Sequence, residues 1–110
     1  MKIRNLTPHT VHIVDSEGNL RKSFESEGIA RATQSETVIG EVDSIELVTM
    51  SFGSPVDLPD PVEDTLLIVS VITANAAKAC GRGADDLVIT ADPVRDTEGH
   101  IIGCIRLAKV

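Results

Sequence analysis

The stretch T-L-L-I-V-S-V-I-T-A-N-A-A-K-A-C-G, Thr65 to Gly81, decides the fold class. Thr65 to Val69 is an unbroken apolar run, the pattern of a central strand buried on both faces. Ser70 to Cys80 is the one helix the sequence specifies. Its alanines have high helix propensity, Ser70 suits the N-cap, and Gly81 falls where a C-cap belongs. Asp86 to Thr90 then reads as another strand. Strand, helix and strand within 26 residues form a compact βαβ unit, with the direction of pairing left open by periodicity.

On the C-terminal side, Val94 to Val110 reads as a hairpin. Asp96-Thr-Glu-Gly99 makes the turn and His100 to Leu107 forms the returning strand. On the N-terminal side, Met1 to Leu6 and Thr10 to Val14 read as short strands joined by the Thr7-Pro8-His9 turn. Asp15 to Asn19 is a hairpin turn before a weakly patterned Leu20 to Glu25. Two strands are expected at Ile29 to Thr33 and Thr37 to Val42, and one more from Ser44 to Phe52, where apolar residues alternate. Gly53 to Asp64, with Pro55, Pro59 and Pro61 among acidic residues, reads as a surface loop. The expected architecture is a single α+β domain, residues 1–110: a small, mostly antiparallel β-sheet or partly open barrel with one covering α-helix.

Composition narrows the function classes. At 110 residues the chain suits one domain able to bury a core without disulfides. That core must be aliphatic, since Phe24 and Phe52 are the only aromatics. A net charge of −7 denies the basic footprint of a DNA or RNA binder, and bases would find almost no rings to stack on. Cys80 and Cys104 define no disulfide framework and are expected to be free, buried thiols of a cytoplasmic protein. No apolar run approaches a membrane span.

Motifs for catalysis are missing. His9 and His12 point to opposite faces of an extended chain, and a metal would also need His100, Cys80 or Cys104 from distant segments. There is no nucleophile elbow, and Ser70 is better explained as a helix cap. The acidic run Asp57, Asp60, Glu63 and Asp64 reads as a solvated face. Three features favour binding instead. Gly81-Arg82-Gly83 offers an arginine fork in a flexible loop, Arg31 has small neighbours in Ala30 and Ala32, and Arg95 precedes the final turn. The simpler readings are a C-cap followed by an exposed arginine, and a local Arg95–Asp96 pair.

Several short motifs occur together: N-L-T-P-H at Asn5 to His9, A-R-A at Ala30 to Ala32, and I-V-S at Ile68 to Ser70. With them stand D-D-L-V at Asp85 to Val88 and V-R-D-T-E-G-H-I-I-G-C from Val94 to Cys104. The set resembles a group of short proteins of bacterial genomes and phages, over nearly the whole chain. The resemblance implies no particular chemistry, but its phage setting includes counter-defence factors that sequester nucleotide immune signals of the host.

The leading expectation is therefore a non-enzymatic, homo-oligomeric binder of a small anionic molecule such as a nucleotide, without cofactor. Arg31, Arg82 and Arg95 supply charge, and Thr7, His9, Ser70 and Asn75 supply hydrogen bonds. The alternatives are a small hydrolase or phosphoesterase using His9 or His12, and a virion or protein-interaction module using the Gly53 to Asp64 loop.

Overall fold

A computed structural model describes residues 1–110. The elements run β1 (Lys2–Asn5), β2 (Val11–Val14), β3 (Leu20–Phe24), β4 (Arg31–Val42), β5 (Ile45–Val56), β6 (Thr65–Ile68), α1 (Val71–Ala79), β7 (Leu87–Arg95) and β8 (Ile101–Lys109). The protein is mostly strand with one helix, an α+β architecture.

The βαβ unit forms as its sequence specifies. Ser70 caps α1, its hydroxyl accepting from the Thr73 amide. At the other end Gly81 takes φ +88°, while its amide reaches Lys78 O and that of Arg82 reaches Ala77 O. This paired closure satisfies two of the last helical carbonyls. Strands β6 and β7 lie side by side and parallel, with Leu67 opposite Leu87 and Ile68 opposite Val88.

The main sheet has the order β1-β6-β7-β8-β2-β3. It is mixed, a correction to the mostly antiparallel expectation. β1–β6, β6–β7 and β2–β8 pair parallel, whereas β7–β8 and β2–β3 pair antiparallel. The physical reason is non-local: β1 adds beside the buried β6, some sixty residues along the chain, in the direction β6 already runs. A single bridge between Asn5 and Ser26 ties the end of β1 to the segment that follows β3.

Alternation along β6 and β7 divides the core. Leu67, Val69 and Leu87 pack with Ala74 and Ala77 of α1, Leu6 and Ala30. Ile68 and Val88 pack with Val11 and Cys104, flanked by Ile3, Ile13, Phe24 and Leu107.

The two strands expected at Ile29 to Thr33 and Thr37 to Val42 are one strand, β4. It pairs with β5 in a separate two-stranded ribbon. Asp43 and Ser44 close its tip with φ of 51° and 64°, the left-handed pair that matches strand twist in a two-residue hairpin. Residues 33–54 are all exposed. This arm explains a radius of gyration of 16.6 Å, against about 13 Å for a compact chain of this length. Its base packs on α1, and the loop expected from Gly53 begins only at Asp57.

Candidate functional site

Asn5 is the hub of the opening motif. It is fully buried, and its carboxamide is saturated. Nδ2 donates to His9 O at 2.7 Å and to Phe24 O at 2.8 Å, while Oδ1 accepts from the Thr7 amide and hydroxyl. Ser26 Oγ donates to Thr7 O at 2.6 Å. The N-L-T-P-H turn is thus wired to the end of β3 by one amide side chain.

Thr7 and Ser70 stand just past the C-terminal ends of the parallel neighbours β1 and β6. Arg31 follows Ala30, whose amide bonds Leu6 O and whose carbonyl accepts from Thr73 of α1. Three expected binding residues therefore meet near the start of the helix. The hydroxyls of Thr7 and Ser70 are already engaged, with Asn5 and Thr73, whereas Arg31 is exposed and unpaired. His9 and Asn75 are exposed, and His9 contributes its backbone carbonyl to the turn.

Arg82 is not a free fork. Its guanidinium donates to both carboxylate oxygens of Asp86, at 2.9 and 2.8 Å, and twice to Pro59 O. Both side chains are nearly buried. The hydrogen bonds from Arg82 hold the Asp86 carboxyl below its ordinary range, and the same bonds raise the guanidinium. Arg82 also pins the acidic loop through Pro59, and Leu58 packs on the core.

Arg95 is exposed and donates to Gly99 O at 2.7 Å, closing the final turn rather than pairing with Asp96. Asp96 accepts from the Glu98 and His100 amides. The same turn brings Asp96, Glu98 and His100 side chains together on an exposed tip. Arg82 grips the residue before β7 and Arg95 ends that strand, so about 25 Å of extended chain lies between them. Arg82 and Arg95 therefore stand too far apart to close on one small guest.

His12 pairs across the strands with Ser23, its Nδ1 at 2.9 Å from Ser23 Oγ. The ring has no carboxylate partner to orient it. His12 also borders a cleft of about 330 Å³ with Thr10, Thr90, Pro93 and Cys104. Burial raises the Cys104 thiol, which favours the unreactive protonated form. Cys80, expected to be buried, is exposed because it occupies the helix C-cap.

A second cleft, of about 390 Å³, lies over the other side of the core. Ile3, Ile13, Phe24 and Leu107 form its floor, and Arg21, Lys22 and Arg106 stand around it. Lys22 Nζ sits 5.2 Å from the Phe24 ring centroid. Arg106 pairs with Asp92, and Arg21 has no partner side chain. Three cations thus gather at one concavity of a chain with net charge −7. Sequence reading missed them because they come from two strands far apart in the chain, Arg21 and Lys22 from β3 and Arg106 from β8, and each looks like an ordinary solvated position. The alternation of β3 and β8 with charged residues was the available signal.

No helix is long and apolar enough to cross a membrane. Comparison with protein-family models, curated proteins and solved structures finds no match.

Proposed function

We propose that the protein binds a small organic anion and releases it chemically intact, and that the Arg21–Lys22–Arg106 cleft is where it does so. One observation carries this reading: an apolar floor lined by Arg21, Lys22 and the Asp92-paired Arg106 in an otherwise acidic protein. An anion with an apolar or heterocyclic body suits it. The body would lie on Ile13, Phe24 and Leu107, and its phosphate or carboxylate would meet guanidinium groups able to bond it in a bidentate manner. Nucleotides belong to this class. In a phage setting, such capture would remove a host's nucleotide immune signal without a chemical step.

The test is retention without bias. The purified protein is incubated with a panel of mononucleotides, dinucleotides and cyclic dinucleotides, and bound and free fractions are identified by mass spectrometry. The reading requires at least one retained compound of unchanged mass. A panel returned wholly unbound, or converted to new products, would refute it.

The enzymatic alternative draws support from the His12–Ser23 contact alone. A serine nucleophile needs its histidine base held by a third group. That group is lacking here, so the contact reads as a cross-strand hydrogen bond. Turnover of a panel member, abolished by both His12→Ala and Ser23→Ala, would reverse this judgement.

A further inference from the structure

The β4–β5 arm poses a separate problem. A lone two-stranded ribbon is marginal in water, because its apolar side chains have no layer to cover them. Here Ile39, Val42 and Ile45 are 63%, 55% and 65% exposed, and Leu47, Val48, Met50 and Phe52 are exposed as well.

The register sorts these residues by face. Ser35 pairs with Ser51 and Thr37 with Thr49; Gln34, Glu36 and Val38 pair with Phe52, Met50 and Val48. The Ser35 and Ser51 hydroxyls lie 2.6 Å apart, as neighbours on one face must. A bulge at Ile39 then restores the alternation, so that Val42 opposite Ile45 and Gly40 opposite Leu47 continue the serine–threonine face. Glu41 and Glu46 fall on the other face, with Glu36. One face of the arm therefore carries hydroxyl and aliphatic groups and no charge, while the other sets three carboxylates among Val38, Val48, Met50 and Phe52.

We propose that the uncharged face of the arm packs against the same face of a second copy of this chain. A two-fold axis presents identical surfaces to each other. For a protein of net charge −7, a charge-free face is the surface on which two copies can meet without opposing carboxylates. A basic partner would instead select the face bearing Glu36, Glu41 and Glu46. A ribbon face some 40 Å long and two strands wide offers on the order of 500 Å² per copy. That is less than the roughly 800 Å² of a standard interface, so the association is reversible and concentration-dependent. The inference does not depend on the ligand reading, because its test contains no ligand.

Sedimentation from about 1 to 100 μM, a range that spans reversible association, is measured for the wild type, Leu47→Glu and Met50→Glu. The wild type should rise from 11.7 kDa towards twice that mass with concentration. Leu47→Glu should stay at the monomer mass, and Met50→Glu, altered on the charged face, should follow the wild type. A second measurement keeps the arm's native apolar residues. In a Cys80→Ser background, Thr49→Cys should form a disulfide-linked dimer on mild oxidation and Met50→Cys should not. A wild type that stays monomeric throughout, equal loss in both glutamate variants, or crosslinking confined to Met50→Cys would overturn the proposal.

Discussion

The guanidinium of Arg82 and the carboxylate of Asp86 meet in two hydrogen bonds of 2.9 and 2.8 Å, both groups nearly out of solvent. The same arginine holds Pro59 O, so one side chain fastens the loop before β6, the helix end and the start of β7. Arg82→Ala leaves the Asp86 charge buried without its partner and should cost about 2–4 kcal/mol. Arg82→Lys, which cannot reproduce the planar fork, should recover only part of this. Thermal unfolding measures both, with a fall in Tm of more than about 10 °C expected for the alanine variant. An unchanged Tm would show that Arg82 is a free binding group after all.

The same pair predicts an acid response. Arg82 lowers the folded-state value of Asp86 below 3.8. A depressed carboxyl contributes stability that is fully present above its unfolded value and is lost as pH falls through the folded one. The stability gap between wild type and Asp86→Asn should therefore be constant near neutrality and shrink as pH drops below about 4. Urea unfolding at pH 7 and at pH 3 checks this, and a gap that widens in acid would contradict it.

Asn5→Ala should remove four hydrogen bonds at once and leave the half-buried Phe24 carbonyl without this donor. Orphaning buried polar groups makes this a loss of about 2–4 kcal/mol. Amide hydrogen exchange should accelerate first around Glu27 and Ala30, whose amides bond to Asn5 O and Leu6 O. A variant as stable as wild type would mean that water replaces the carboxamide without cost.

Gly103 lies where β8 crosses β2. A methyl group there would sit 2.7 Å from His12 O and 2.9 Å from Val14 Cγ1. Gly103→Ala should destabilise by about 1–3 kcal/mol, because backbone must move to admit it. Gly40→Ala, where nothing lies within 4 Å, is the matched control and should be near neutral. Equal effects in the two variants would refute the close approach.

These residues explain why the motifs could be seen in the sequence while their meaning could not. Asn5, Ala30, Ser70, Asp86, Asp96, Gly99 and Gly103 are joints: a hub, a packed small residue, a helix cap, an ion pair, a turn and a close crossing. The helix and the last hairpin were legible because capping and turn chemistry are local. The arm was not, since Gln34, Ser35 and Glu36 read as a break. In an exposed ribbon polar side chains do not interrupt a strand, because neither face must be buried. Strand directions were hidden for the opposite reason: β1 is ordered by β6, far along the chain. The arginines misled because Asp86, four residues past Arg82, reads only as the first residue of the next strand until the guanidinium is seen to fold back on it.

On the proposed reading, Arg21, Lys22 and Arg106 hold a small anion over the apolar floor of their cleft. Calorimetric titration of whichever nucleotide the panel retains, into wild type and into Arg21→Ala/Arg106→Ala, tests it most directly. Each lost charge-assisted contact is worth about 1.5–3 kcal/mol, so affinity should fall at least a hundredfold while Tm stays within a few degrees. Undiminished affinity in the double variant would contradict the claim.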